Sequence, residues 1–172
     1  ISTLNLSGNQ ITDISAIATI DNLSNLDLRN NQIADISPLA ENQKFIDSKP
    51  VIYLSNNKIA DLTPLSNFKN SDSIWLDNNL IEDISPLTAC TNLERLSIKY
   101  NRISDLSVLS GMANLNRVLA VGNPVIKIDG LNLSSKRTSA ITGEKYSSDS
   151  LLCFLFLSIC YTDKLFFVMF YI

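Results

Sequence analysis

An asparagine returns at a fixed spacing through the first three-quarters of this chain of 172 residues. Successive copies are 22, 26, 22, 22 and 22 residues apart, and they fall at Asn9, Asn31, Asn57, Asn79, Asn101 and Asn123. Self-similarity at a fixed period of about 20 to 50 residues is typical of proteins in which each repeat forms one coil stacked on its neighbours. This spacing constrains the fold more strongly than any other feature of the sequence.

Each asparagine stands in the same frame of apolar residues. Leu, Ile or Val occupies the positions five and three before it and two, five and eight after it, with Ala120 as the one exception. The two positions before the asparagine are separated by one residue, so their side chains lie on the same face of a strand. Each coil is therefore predicted to contribute a short strand with both side chains pointing inward. Parallel strands of successive coils should then stack about 4.8 Å apart in one sheet.

The return segment of each coil has its own signal. Its clearest copies are Asp35-Ile36-Ser37-Pro38-Leu39, Asp61-Leu62-Thr63-Pro64-Leu65 and Asp83-Ile84-Ser85-Pro86-Leu87. The hydroxyl can cap a helical turn, and proline fits the first helical position because its missing N–H has no intrahelical partner there. Short helical or 3-10 return segments are therefore expected.

The full pattern L-x-L-x-x-N-x-I-x-D-I-x-P-L resembles the leucine-rich repeat of bacterial internalin-like proteins. It is also similar to the 22-residue repeats of a regulatory subunit of protein phosphatase 1. The resemblance covers residues 1 to about 131 and implies an α/β repeat fold: a leucine-rich-repeat solenoid of six coils with a parallel concave β-sheet.

Two polar columns have structural interpretations. An asparagine side chain both donates and accepts, so it can satisfy backbone groups that lose their ladder partners where the strand bends into the return. An aspartate four residues after the asparagine could bind a hard cation, but we favour bonds to backbone N–H groups of its own turn, and no metal is predicted. This second column is Asp13, Asp35, Asp61, Asp83 and Asp105.

One coil is longer by four residues, between Leu39 and Ile52. Insertions in a solenoid map to loops on its outside. A partner contact there is conceivable, but a tolerated surface insertion is the favoured interpretation.

The sequence also predicts a partner-binding face. Residues six, four and two before each asparagine should point away from the core, and the middle column reads Asn5, Asp27, Tyr53, Trp75, Ser97 and Leu119. Exposed Trp, Tyr and Arg dominate binding energy at protein interfaces. The alternative is that the two aromatic rings merely support the sheet. We predict a binding patch of Tyr53, Trp75, Asp77, Arg29, Arg95, Lys99 and Tyr100.

Composition argues against several other functions. The net charge is −3, whereas nucleic-acid binding needs a concentrated basic surface. The chain has no histidine, so the usual Ser-His-Asp and Cys-His activations are unavailable, and no phosphate-binding glycine loop occurs. Cys90, Cys153 and Cys160 lack paired spacing, which leaves the redox compartment open. We predict neither catalysis nor a cofactor.

Recognition of another protein, by a monomer, is the predicted function. The resemblance favours surface adhesion by a secreted or cell-surface protein. Two alternatives stay open: a cytoplasmic regulatory subunit that docks an enzyme such as a protein phosphatase, and a structural spacer. The compartment and the partner are not fixed by the sequence.

The two ends of the chain depart from the repeat. The chain begins within a coil, so we interpret residues 1–131 as an array whose N-terminal cap is missing. Residues 132–150 are rich in Ser, Thr and charge, as in a linker. The hydrophobic tail 151–172 has three interpretations: a membrane anchor, a helix capping the last coil, or, as we favour, non-native coding sequence after a frame change. Membrane contact is expected only for an anchor.

Overall fold

A computed structural model describes residues 1–127 and two further short strands. The strands are β1 (Thr3–Asn5), β2 (Asn25–Asp27), β3 (Val51–Tyr53), β4 (Ser73–Trp75), β5 (Arg95–Ser97), β6 (Arg117–Leu119), β7 (Phe156–Leu157) and β8 (Val168–Met169). The helices are α1 (Ser37–Glu41) and α2 (Gln43–Asp47), with 3-10 helices at Ser15–Thr19, Thr63–Asn67, Ser85–Ala89 and Ser107–Gly111. Strands β7 and β8 pair antiparallel, apart from the six-stranded sheet.

Several sequence predictions fall outside the described residues. They are the last core positions Ile128 and Leu131, the linker 132–150, and the tail 151–172 apart from β7 and β8. Within the part of the chain that the structure describes, no helix is long and apolar enough to cross a membrane.

Strands β1 to β6 form one parallel sheet in chain order. The register advances by one repeat per strand, so that Leu4 lies beside Leu26 and Leu26 beside Ile52. The longer coil keeps the same register because its four extra residues lie in the return segment. The predicted α/β repeat solenoid is confirmed.

The core is one continuous cluster between the sheet and the return segments. All five predicted apolar columns contribute to it, although Leu4, Leu6 and Ile11 of the first coil are only partly buried. Two further columns, eleven and eight residues before the asparagine, are also buried and include Ile46, Phe68, Cys90, Met112, Leu23, Leu93 and Leu115. Burial raises the pKa of the Cys90 thiol to about 12, so this cysteine is a core residue and a poor nucleophile.

The return segments are the short helical turns expected from the sequence. Three of them begin with proline in the first turn, at Pro38, Pro64 and Pro86. Because these turns are bulkier than the strands opposite them, the sheet lies on the inner side of the curved stack. We call its outward-pointing side chains the concave face.

The longer coil corrects one expectation. Its extra residues do not form a surface loop but the second helix α2, whose Phe45 and Ile46 are buried. The Phe45 ring packs edge-to-face on Phe68 of the next coil, with ring centroids 5.8 Å apart. Asn42 begins this helix: its side chain accepts from the Phe45 N–H and donates to the Ile17 carbonyl of the preceding coil. The insertion is therefore part of the core.

The asparagine column forms a hydrogen-bonded ladder along the stack. The Asn79 amide donates to the carbonyls of Leu54 in the preceding coil and Leu76 in its own, at 3.1 and 3.0 Å. Its Oδ1 accepts from the Ile59 N–H of the preceding coil at 3.0 Å. Asn31, Asn57, Asn101 and Asn123 repeat this arrangement. These five asparagines thus each join two coils, as their predicted structural role requires, whereas Asn9 of the first coil bonds only within its own coil.

The aspartate column closes the turns that lead into the return segments. In each of the five copies the carboxylate accepts from the backbone N–H two residues later, at 2.7 to 2.8 Å. Hydrogen bonds to the charged carboxylate lower the pKa values of four of these residues. The backbone N–H is the main cause for Asp13 and Asp35, and the hydroxyl of the same Ser or Thr is the main cause for Asp61 and Asp105. Within residues 1–127, no cluster of three or more potential ligands could hold a metal ion.

Asp105 provides a pH-dependent test of this turn. The Ser107 hydroxyl, the Ser107 N–H and Lys127 lower its pKa from 3.8 to about 2. The folded state therefore binds fewer protons than the unfolded state, and the stability gained is present above pH 3.8 and lost as the pH falls towards 2. We expect the Asp105 carboxyl carbon to titrate near 2 by NMR, and Ser107→Ala to raise that midpoint towards 3.8.

The matched control for this titration is Ser110→Ala, in the same 3-10 helix but without a bond to the carboxylate. It should leave the Asp105 midpoint unchanged. A wild-type midpoint near 3.8 would show that the turn does not hold the carboxylate as described.

Candidate functional site: the concave face

The two aromatic residues predicted on the concave face lie against each other. Tyr53 ends β3 and Trp75 ends β4, and the parallel register places them side by side. Their rings stack with centroids 4.6 Å apart and planes inclined by 20°. Both side chains remain half-buried, so one face of the pair stays open to solvent. A rigid aromatic pair of this kind offers contact area with little conformational freedom left to lose.

Arg29 extends the aromatic pair towards the first coils. Its guanidinium carbon lies 5.0 Å from the centre of the Tyr53 ring, in cation–π geometry. Asp27 holds it there through two hydrogen bonds, at 2.9 and 2.6 Å. The side-chain bonds from Arg29 are also the main cause of the lowered pKa of Asp27. The strand alternation places Asp27 in the middle column but does not reveal this positioning role.

Asp77 lies on the side of the patch nearer the asparagine ladder and binds two residues of the next coil. Its Oδ1 accepts from the Ser97 hydroxyl at 2.6 Å and from the Lys99 N–H at 2.8 Å. The Lys99 ammonium lies 3.3 Å from Oδ2. Asp77 and Lys99 therefore compensate each other's charge, and Asp77 connects two neighbouring coils.

Arg95 lies on the other side of Trp75, in the outer column of the face. Its Nε donates to the Ser73 hydroxyl at 2.9 Å, and a terminal nitrogen lies 3.6 Å from Asp72. Ser73 is fully buried, so this bond holds the guanidinium group of Arg95 against the sheet.

Tyr100 is the one predicted patch residue that stands apart. It occupies the position directly before the asparagine, where the other coils carry Gly or Asn, and it shares their left-handed backbone with φ of 54°. Its ring covers Gly122 of the next coil, where a Cβ on the glycine would collide with the ring. A tyrosine in this conformation is strained. Among the other six residues, Arg29 contacts Tyr53 and Tyr53 stacks on Trp75, whereas Lys99 pairs with Asp77.

Comparisons with known proteins support the repeat assignment. The family model described as leucine-rich repeats in two copies matches residues 1–41, and a second leucine-rich-repeat model matches residues 89–110. An internalin, InlF, from Listeria monocytogenes has 35% identity and a TM-score of 0.65, over 73% of this chain and 36% of that one. The chain is a leucine-rich-repeat protein with internalin-like repeats.

Two more distant solved structures share the fold. Internalin C2 of Listeria monocytogenes matches with a TM-score of 0.54 and 23% identity, over 84% of this chain and 81% of that one. A leucine-rich-repeat protein of Leptospira interrogans matches with a TM-score of 0.63 and 24% identity, over 72% and 32%. No curated protein sequence matches the chain. The leucine-rich-repeat chain spans about a third of the length of InlF.

A leucine-rich-repeat array of this kind is a protein–protein interaction module, and the neighbours named above carry the same scaffold. The repeats fix the scaffold, whereas the exposed positions of the sheet differ from coil to coil.

Proposed function

We propose that this chain recognises another protein through the concave face, with Tyr53 and Trp75 at the centre of the contact. The supporting observation is the stacked aromatic pair, half open to solvent and bordered by Arg29. Trp, Tyr and Arg are the residue types that carry most binding energy where they cluster in the middle of an interface. Nothing in this geometry calls for catalysis or a cofactor.

The favoured setting is adhesion at a cell surface, on the strength of the internalin-like repeats. The alternatives are an intracellular subunit that docks an enzyme and a structural spacer. Six strands about 4.8 Å apart make a face roughly 29 Å long, which with three outward side chains per strand gives about 400 Å². A standard interface takes about 800 Å² from each partner. The partner should therefore also contact loops or further coils.

The central test is a pull-down from host and bacterial lysates with the full chain and with a Tyr53→Ala/Trp75→Ala variant. One truncation at a binding centre costs about 2 kcal/mol, which is about 30-fold in affinity, so we expect the double variant to bind the captured protein more than about 30-fold more weakly. Captured proteins are identified by mass spectrometry, and circular dichroism checks that both chains are equally folded.

The matched control is Leu80→Ala/Ile126→Ala, which removes two exposed apolar side chains outside the concave columns. It should retain the captured protein. An adhesion role predicts a partner on another cell's surface, and an enzyme as partner would favour the regulatory subunit. If the wild type and the Tyr53→Ala/Trp75→Ala variant captured the same proteins equally, the aromatic pair would not be the binding site. The alternative of a structural spacer would then be favoured.

A further inference from the structure

The middle column of the concave face contains a gap. Between the large side chains of Trp75 and Leu119 stands Ser97, which is small and 3% exposed. Because neighbouring coils lie only about 4.8 Å apart, one small residue between two large ones leaves a notch. The notch has a volume of about 100 Å³ and is lined by Trp75, Arg95, Leu96, Ser97, Arg117 and Leu119.

Two guanidinium groups lie at one side of this notch, on successive coils. Arg95 and Arg117 occupy equivalent positions of β5 and β6 in the parallel register. Both side chains are exposed, and both line the notch together with the Trp75 ring. The notch therefore combines apolar walls with two cationic groups.

Of the four cationic side chains that the structure describes on this face, three have an acidic partner and Arg117 does not. Arg29 is paired with Asp27, and Lys99 with Asp77. Arg95 forms an ion pair with Asp72 at 3.6 Å, which is too long for a hydrogen bond, so its terminal nitrogens can still donate to a ligand. The backbone N–H of Arg117 donates to the Glu94 carbonyl, but its side chain has neither a hydrogen bond nor an ion pair among residues 1–127. An anionic group would complete this arrangement.

We propose that the notch binds the carboxylate of one Asp or Glu side chain, carried by an extended segment of the partner protein. This inference rests on the proposed function and names the chemistry of the partner at one point of the same face. The planar guanidinium fork matches a carboxylate and can donate two parallel hydrogen bonds.

The apolar walls favour the same ligand. Trp75 and Leu119 border the notch and displace water from it, which strengthens a charge-assisted hydrogen bond formed between them. They also offer contact to the methylene groups of an acidic side chain and to an apolar neighbour on the same segment. The shape and charge of the notch therefore favour a peptide segment in which one acidic residue has apolar residues on both sides.

Trp75 makes the notch directly observable, because it is the single tryptophan of the chain. We would titrate the full chain with acetyl-Leu-Glu-Leu-amide and, separately, with acetyl-Leu-Gln-Leu-amide, and follow tryptophan fluorescence. The two peptides differ only in charge and hydrogen-bonding pattern. We expect a saturable change with the Glu peptide, at least about 10-fold tighter binding than for the Gln peptide, and weakening of that preference by added salt.

Charge variants assign the preference to the notch. Arg117→Gln should abolish most of the preference for Glu over Gln, whereas Arg117→Lys should retain part of it because the positive charge remains. Arg102→Gln is the matched control: it removes the same charge from an exposed arginine that lies outside the concave columns and pairs with Glu82 at 3.7 Å. This control should bind like the wild type.

Equal responses to the two peptides, or no response to the Glu peptide, would overturn the carboxylate assignment. The wild-type comparison decides this without any variant, so the result does not depend on how Arg117 substitutions fold. The pull-down with Tyr53→Ala/Trp75→Ala tests the proposed function separately. Loss of capture in that variant, together with equal peptide responses, would leave protein recognition standing and refute only the carboxylate site.

Discussion

Replacing Asn79 by alanine should lower the free energy of unfolding by about 3 kcal/mol. The substitution leaves the buried Ile59 N–H without an acceptor, because Asn79 Oδ1 is its partner. It also removes one of the two side-chain donors from the Leu54 carbonyl and one from the Leu76 carbonyl. An orphaned buried donor costs about 1–3 kcal/mol, and each lost bond adds roughly 0.5–1.5 kcal/mol. Urea unfolding followed by circular dichroism measures the loss.

The chain contains its own control for this prediction. Asn9 occupies the same column in the first coil, but it is exposed and bonds only to the Leu6 and Ser7 carbonyls of its own coil. Asn9→Ala should therefore cost about 1 kcal/mol or less. The two variants differ in the hydrogen bonds between coils, which only Asn79 makes. If Asn79→Ala and Asn9→Ala lowered the free energy of unfolding equally, the bonds between coils would add no stability to that of the bonds within one coil.

The sequence predicts the scaffold well because the same physical problem recurs in every coil. Each coil must bury its apolar columns, bend its strand and satisfy the backbone groups at the bend. Leu26, Asn31 and Asp35 solve these three problems, and equivalent residues solve them again 22 or 26 residues later. Repetition makes each assignment visible several times, and the structure confirms the strands, the ladder and the closed turns.

The concave face is predicted less completely because it does not repeat. The alternation of the strands places Tyr53 and Trp75 side by side, but it does not reveal that Asp27 fixes Arg29 over the Tyr53 ring. Nor does it reveal the notch, which becomes visible only when side-chain sizes are compared along the middle column, where the small Ser97 lies between Trp75 and Leu119.

Tyr100 is placed by the backbone rather than by the strand alternation. It follows Lys99 in sequence, but the residue directly before the asparagine adopts a left-handed backbone in every described coil. That bend carries the side chain out of the alternating strand pattern and onto Gly122. The column of Gly and Asn at this position was the available signal, since these residues tolerate positive φ best.

Truncating Phe45 should cost as much stability as any single core substitution in this chain. Phe45 belongs to α2, the helix formed by the four extra residues, and it is fully buried against Phe68. Phe→Ala in a close-packed interior typically costs about 3–5 kcal/mol, through lost burial and the cavity left behind. We therefore expect Phe45→Ala to lower the urea midpoint of unfolding strongly. If the insertion were a surface loop, the same substitution would leave the midpoint almost unchanged.

Lys44→Ala is the matched control in the same helix. Lys44 pairs with Asp21 at 2.6 Å, but both side chains are about two-thirds exposed, with 69% and 65% of their surfaces accessible. An ion pair so exposed contributes about 1 kcal/mol or less. A large loss for Phe45→Ala beside a small one for Lys44→Ala would establish that the longer coil packs into the core. If both variants lost a similarly small part of the free energy of unfolding, the inserted residues would lie at the surface, which contradicts the burial of α2.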